Sequence, residues 1–230
     1  MSNSSDFDLI TIGRVSVDIY PLQYGVGLED VKTFQKFLGG SATNVACAGA
    51  KYGLKSAIIT RTGNDPFGNY IHQELERLGV SDEFVSSVPS LPTPVVFCEI
   101  FPPDDFPLYF YREPKAPDLV INSDELDLEA IKSAKIYWST VTGLSQEPSR
   151  SAHHKAWEAR ARKTHTILDL DYRPMFWSSA QDATGEIEKA LSKVTIALGN
   201  KEEREVAVGE SDPIRAADAL LERGLEVAIV

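Results

Sequence analysis

Short apolar runs alternate with stretches of helical period almost from one end of the chain to the other. The first run, Phe7–Ile12 (FDLITI), predicts a buried strand. A helix is expected from about Ser41 to Tyr52, closed by Gly53, and then a strand over Ala57–Thr60. In the next helix Asp65 suits the N-cap, Pro66 the first turn and Gly79 the stop. Strands Ile136–Ser139, Thr166–Leu170 and Thr195–Leu198 are followed by helices over Arg150–Lys163, Ala183–Lys193 and Lys201–Val208. A last helix, Pro213–Arg223, stops at Gly224 before the apolar run Val227–Val230. Short buried strands spaced by helices imply right-handed βαβ crossovers, hence an α/β fold with a doubly wound, mainly parallel sheet.

Two stretches break this rhythm. Arg14–Thr33 and Val95–Arg112 alternate like strands with no helix between, and Val95–Ile100 and Leu108–Arg112 flank the turn Pro102-Pro103-Asp104-Asp105. They read either as a small β lid over a ligand crevice or as an antiparallel edge hairpin of the main sheet. No internal repeat or low-complexity segment is visible. The chain stops inside an apolar strand, so residues 1–230 are expected to form an incomplete domain.

Composition narrows the partners. The chain has 230 residues, net charge −11 and two cysteines, Cys47 and Cys98, each inside an apolar run. The acidic balance disfavours nucleic acid and anionic membranes, and any anionic ligand must be held by a few local cations. Met1–Asp6 has neither a basic nor an apolar targeting segment, so a cytoplasmic protein is expected. The cysteines read as small buried residues rather than a disulfide or metal site, and His153-His154, being adjacent, do not share a helical face.

The candidate chemistry lies at predicted strand ends, where open α/β sheets bind ligands. Gly39-Gly40-Ser41-Ala42-Thr43-Asn44 precedes a helix; its glycines permit close backbone approach, and Asn44 offers both a donor and an acceptor to a hydroxyl. It fits neither a Walker A loop nor a dinucleotide fingerprint. Asp18 follows the first strand. Asp169-Leu170-Asp171-Tyr172-Arg173-Pro174, with Trp177 beyond, follows another, and Asn200-Lys201-Glu202-Glu203 opens a helix.

Taken in this order, these segments resemble the phosphofructokinase-B/ribokinase family of carbohydrate kinases, with Asp171 where the family's Asp-x-Asn-x-Arg segment has Asn. The resemblance covers nearly the whole chain and narrows, through Leu91–Arg112 and Asp169–Trp177, to members acting on an acidic sugar of inositol breakdown. It implies a ribokinase-like fold with a lid, and transfer from ATP, with Mg²⁺, to a primary hydroxyl of the sugar acid. Asp18, Gly39, Gly40 and Asn44 would hold sugar hydroxyls; Tyr111, Arg112 and Arg173 would hold the carboxylate. Asn200 and Glu203 would sit near Mg²⁺ and phosphate, with no directly coordinated metal assigned. The family's base, in a Gly-Ala-Gly-Asp motif, and most of the adenine site are expected beyond Val230, so residues 1–230 alone are expected to be inactive. Homodimers through the lid are a further expectation. The alternatives are a kinase for 2-keto-3-deoxygluconate, fructose or ribose, or a sugar-binding protein that has lost transfer.

Overall fold

A computed structural model describes residues 7–230; the expectation for Met1–Asp6 lies outside the described residues. The order is β1 (Leu9–Ile12), β2 (Ser16–Pro21), β3 (Phe34–Gly39), α1 (Ser41–Lys51), β4 (Ser56–Gly63), α2 (Pro66–Arg77), β5 (Val80–Ser81) and β6 (Val85–Val88). It continues with β7 (Val95–Cys98), β8 (Leu108–Tyr111), α3 (Leu128–Ser133), β9 (Ile136–Thr140), α4 (Ser149–Arg160), β10 (Thr166–Asp169) and α5 (Ala180–Leu191). Last come β11 (Ile196–Leu198), α6 (Lys201–Val208), α7 (Pro213–Glu222) and β12 (Val227–Ile229). None of the described helices is long and apolar enough to cross a membrane.

The main sheet is parallel, in the order β12-β11-β10-β9-β1-β4-β5, with β6 also paired to β4. Its strands are apolar on both faces because both are covered. Ile10 and Ile12 join one core with Tyr137, Trp157, Leu168 and Ile187, while Leu9 points the other way onto Ala46, Ile58, Ile71 and Leu75. The chain winds outward in both directions from β1, which puts the topological switch beside its carboxyl end.

The two irregular stretches form a separate four-stranded sheet, β3-β2-β7-β8, and not an edge hairpin of the main one. Strand β2 pairs antiparallel with β3 but parallel with β7, so each hairpin contributes an inner strand. The second strand of the first hairpin lies at Phe34–Gly39, beyond the stretch 14–33. Residues before it form a loop with a turn of 3-10 helix at Leu28–Asp30, whose Leu28 amide donates to Glu99 Oε1 at 2.8 Å. Strands β5 and β6 and the short helix α3, only 2, 4 and 6 residues long, fall outside the sequence pattern.

Asp65 joins the two layers. Its Oδ1 accepts from the Gly68 amide at 2.8 Å, capping α2, and its Oδ2 accepts from the Thr93 amide at 2.7 Å, just before β7. Asp65→Ala should therefore lower the unfolding free energy by about 1–2 kcal/mol. Urea denaturation reads this directly, and an unchanged midpoint would remove the cap from the account.

Candidate active site

In a parallel sheet every carboxyl end points the same way, so the residues following β1, β9, β10 and β11 share one edge. The amino end of α1 and the inner face of the small sheet complete the crevice. Two cavities open there, sharing Ser41 and Arg173 in their walls.

The first cavity, about 200 Å³, is lined by Asp18, Asn44, Gly40, Arg14, Arg173 and Phe110 among others. Asp18 and Val96 are register partners and Val96 pairs with Phe110, so all three face inward. Burial pushes the Asp18 carboxyl above its ordinary value, opposed by a hydrogen bond from Ser16 Oγ at 2.8 Å and the charge of Arg14. Asn44 stands exposed on the first turn of α1. The two glycines serve the walls. A Cβ on Gly39 would collide with the Asp18 carboxylate, and Gly40, at φ 103°, lies against the Arg14 carbonyl oxygen.

At the back of this cavity lies an ion pair that the motifs did not single out. Arg14 follows β1; its Nη2 meets Asp171 Oδ2 at 2.6 Å, and both side chains are almost wholly buried. The same oxygen accepts from Ser41 Oγ at 2.8 Å and Thr140 Oγ1 at 3.0 Å. Arg14 Nε donates to Thr142 Oγ1 at 3.1 Å, and the second oxygen of Asp171 pairs with Arg173 Nη2 at 2.9 Å. Burial opposes ionisation of Asp171, but the charges of Arg14 and Arg173 and hydrogen bonds from Arg14 and Ser41 outweigh it, holding the carboxyl below its usual value. The available signal was Asp171 itself, an acid where the resembling motif has a neutral amide, which asks for a buried cation nearby.

The second cavity, about 380 Å³, is lined by Asp169, Asp171, Arg173, Asn200 and Glu203 among others. Asn200-x-x-Glu203 is the capping box of α6: Asn200 Oδ1 accepts from the Glu203 amide at 3.1 Å, and Glu203 Oε2 accepts from the Asn200 amide at 2.9 Å. Glu203 Oε1 meets Arg173 Nη1 at 3.2 Å, so Arg173 bridges the two cavities. Burial, with the neighbouring Asp171 charge, pushes the Asp169 carboxyl up to about 7, despite the hydrogen bond it accepts from the Asp171 amide at 3.2 Å.

Two expected ligand residues do not join the site. Tyr111 pairs in register with Val95, putting it on the outer face of the small sheet, where its ring meets Phe97 at 5.5 Å and is 65% exposed. Adjacent strand residues face opposite ways, so Phe110 takes the inward position. Arg112 is consumed by the buried Asp118, at 2.5 Å, with its guanidinium 5.1 Å from the Phe176 ring centre. It braces the lid and does not line either cavity.

The raised Asp169 carboxyl sets a testable sign. In the folded chain its charged form is disfavoured, so stability contributed by the neutral form is lost as pH rises from the ordinary value of 3.8 through about 7. In buffer free of divalent cations, Asp169→Asn should raise the melting temperature above about pH 7 and make no difference below about pH 4. A gain of equal size at every pH would show that Asp169 is not electrostatically penalised.

The profile described as pfkB family carbohydrate kinase matches residues 6–230. A curated relative from Photobacterium profundum, 5-dehydro-2-deoxygluconokinase, is 35% identical over 230 residues, covering 97% of this chain and 69% of that protein. The protein of the same name from Shouchella clausii is 33% identical over 207 residues, 89% of this chain and 63% of the relative, so the chain spans less than two thirds of that relative's length. The fold is similar to the crystal structure of the PfkB protein from Polaromonas sp. JS666, at a TM-score of 0.87 and 22% identity over 96% of this chain and 75% of that one. With its motifs gathered at one sheet edge and its sequence matched almost from end to end, this chain belongs to the pfkB family of carbohydrate kinases.

Proposed function

We propose that this chain forms the sugar-binding and phosphate-facing part of an ATP-dependent kinase that phosphorylates a primary hydroxyl of a sugar acid, 5-dehydro-2-deoxygluconate. The observation that carries this reading is the pair of adjoining cavities with a common wall, Ser41 and Arg173. One cavity offers hydroxyl-binding groups; the other offers a helix amino end and carboxylates. Phosphoryl transfer needs such a juxtaposition, because most of its acceleration comes from in-line positioning and charge stabilisation. The names of the curated relatives support the sugar acid as substrate.

In this reading Asp18 accepts hydrogen bonds from sugar hydroxyls and Asn44 both donates and accepts. Gly39 and Gly40 bring the carboxylate and the helix start close enough to converge. Asn200 and Glu203 hold the amino end of α6 toward the phosphates, where free amides favour negative charge. The oxygen donors Asp169, Asn200 and Glu203 fit a hard cation such as Mg²⁺, which keeps several waters and phosphate oxygens in its shell. When bound with ATP, Mg²⁺ supplies charge neutralisation for the transferred group. The exposed outer face of the lid sheet, with Tyr109 and Tyr111, supports pairing of two copies there.

Purified full-length protein with MgATP should release ADP faster with 5-dehydro-2-deoxygluconate than with 2-keto-3-deoxygluconate, fructose or ribose. Preference for a neutral sugar would move the substrate within the family, and no turnover with any of them would favour a sugar-binding protein. Asp18→Asn should reduce kcat/KM by about ten- to a hundredfold, from weakened hydrogen bonds to a charged acceptor. Asn44→Ala should cost about threefold to tenfold. The Asp18 variant should melt no lower than the parent at neutral pH, because burial disfavours its charge; a collapsed melting temperature would instead make Asp18 a structural residue.

A further inference from the structure

Arg14 has unspent hydrogen-bonding capacity. Its Nε goes to Thr142 and its Nη2 to Ser41 and Asp171, but among the described residues nothing accepts from Nη1. Arg173 spends its two terminal nitrogens on Tyr172, Glu203 and Asp171, and among the described residues nothing accepts from its Nε. Arg14 and Arg173 both line the first cavity, the one with Asp18 and Asn44. The Arg14 guanidinium also lies 5.9 Å from the Phe110 ring centre and 5.6 Å from that of Phe176. These rings cover part of the guanidinium and reduce competition from water.

We propose that Arg14, together with Arg173, holds the carboxylate of the substrate and so selects an acidic over a neutral sugar. The assignment rests on the sugar-acid reading above and moves the anion-binding role from the lid to the floor of the cavity. A planar carboxylate supplies the acceptors that the two open N–H groups lack, and charge-assisted bonds to guanidinium are short and directional. Asp171 holds both arginines from behind, one on each oxygen, so they are set before the ligand arrives. A sugar with no carboxylate would leave these donors facing only water. A site built around a specific polar partner discriminates strongly against the analogue that lacks it. Arg112 is paired with the buried Asp118 through its Nη2 and lines neither cavity, so its remaining N–H groups do not face the ligand space that Arg14 lines.

The test compares kcat/KM for the sugar acid with kcat/KM for its primary amide, using full-length protein. The parent should prefer the acid. Arg14→Gln combined with Asp171→Asn replaces the buried ion pair by a neutral hydrogen-bonded one, and should lower the acid-to-amide ratio by about ten- to a hundredfold. Arg14→Lys keeps the charge beside Asp171 but removes the second arm of the fork, so it should lower the ratio even if the double variant fails to fold. A ratio unchanged in Arg14→Lys, or lowered by Arg112→Lys instead, would overturn the Arg14 assignment while leaving the sugar-acid reading intact. A parent indifferent to the carboxylate would overturn both, and that result appears before any substitution is made.

Discussion

The buried pair of Arg14 and Asp171 is the contact on which the rest of the site depends. Taking two charges out of water costs several kcal/mol for each, and mutual attraction offsets this only when the geometry is close and the remaining valences are filled. Here the contact is 2.6 Å, and Ser41, Thr140 and Thr142 fill much of what remains. Those partners come from the carboxyl end of β9 and the amino end of α1, while the charges follow β1 and β10. One carboxylate therefore fixes the relative positions of four elements.

From that anchor the site extends in two directions. Toward the small sheet, Arg14 lies against Phe110 of β8 and against Phe176, whose rings meet at 5.4 Å. Phe176 also lies 5.1 Å from the guanidinium of Arg112, itself tied to Asp118. The small sheet is thus held over the cavity by guanidinium–aromatic contacts and an edge-to-face ring pair. Toward α6, Arg173 carries the connection from Asp171 to Glu203 and so to the capping box. A change at the first cavity has a physical route to the second through that one guanidinium.

Asp169 and Asp171 show how environment separates like groups. They are two residues apart on one strand end, yet burial pushes the first up to about 7 while the second is held below its ordinary value. Asp171 receives both arginines, whereas Asp169 receives one backbone amide and the repulsion of its neighbour. An acidic chain meets its need for positive charge at the crevice with two arginines that one aspartate keeps in place.

Much of the fold was legible because it is written in local terms. Apolar runs covered on both faces mark the parallel strands, and Asp65-Pro66 and Asn200-x-x-Glu203 mark helix starts by hydrogen bonds that close within three residues. Asp18 within β2, Asn44 on the first turn of α1 and Arg173 after β10 were all singled out by their motifs, and all three line the first cavity. The fates of Arg14, Tyr111 and Arg112 were not legible, because each was decided by partners far along the chain or across the sheet. Arg14 is 157 residues from Asp171. Tyr111 faces outward through its register with Val95, and Arg112 is removed from the crevice by Asp118, which no motif distinguished. The sequence by itself determined which segments become strands, helices and caps, since those depend on neighbours within a few residues. Only the tertiary structure decided which arginine faces the cavity, since a charge goes where its counter-ion and the pleat of its strand allow.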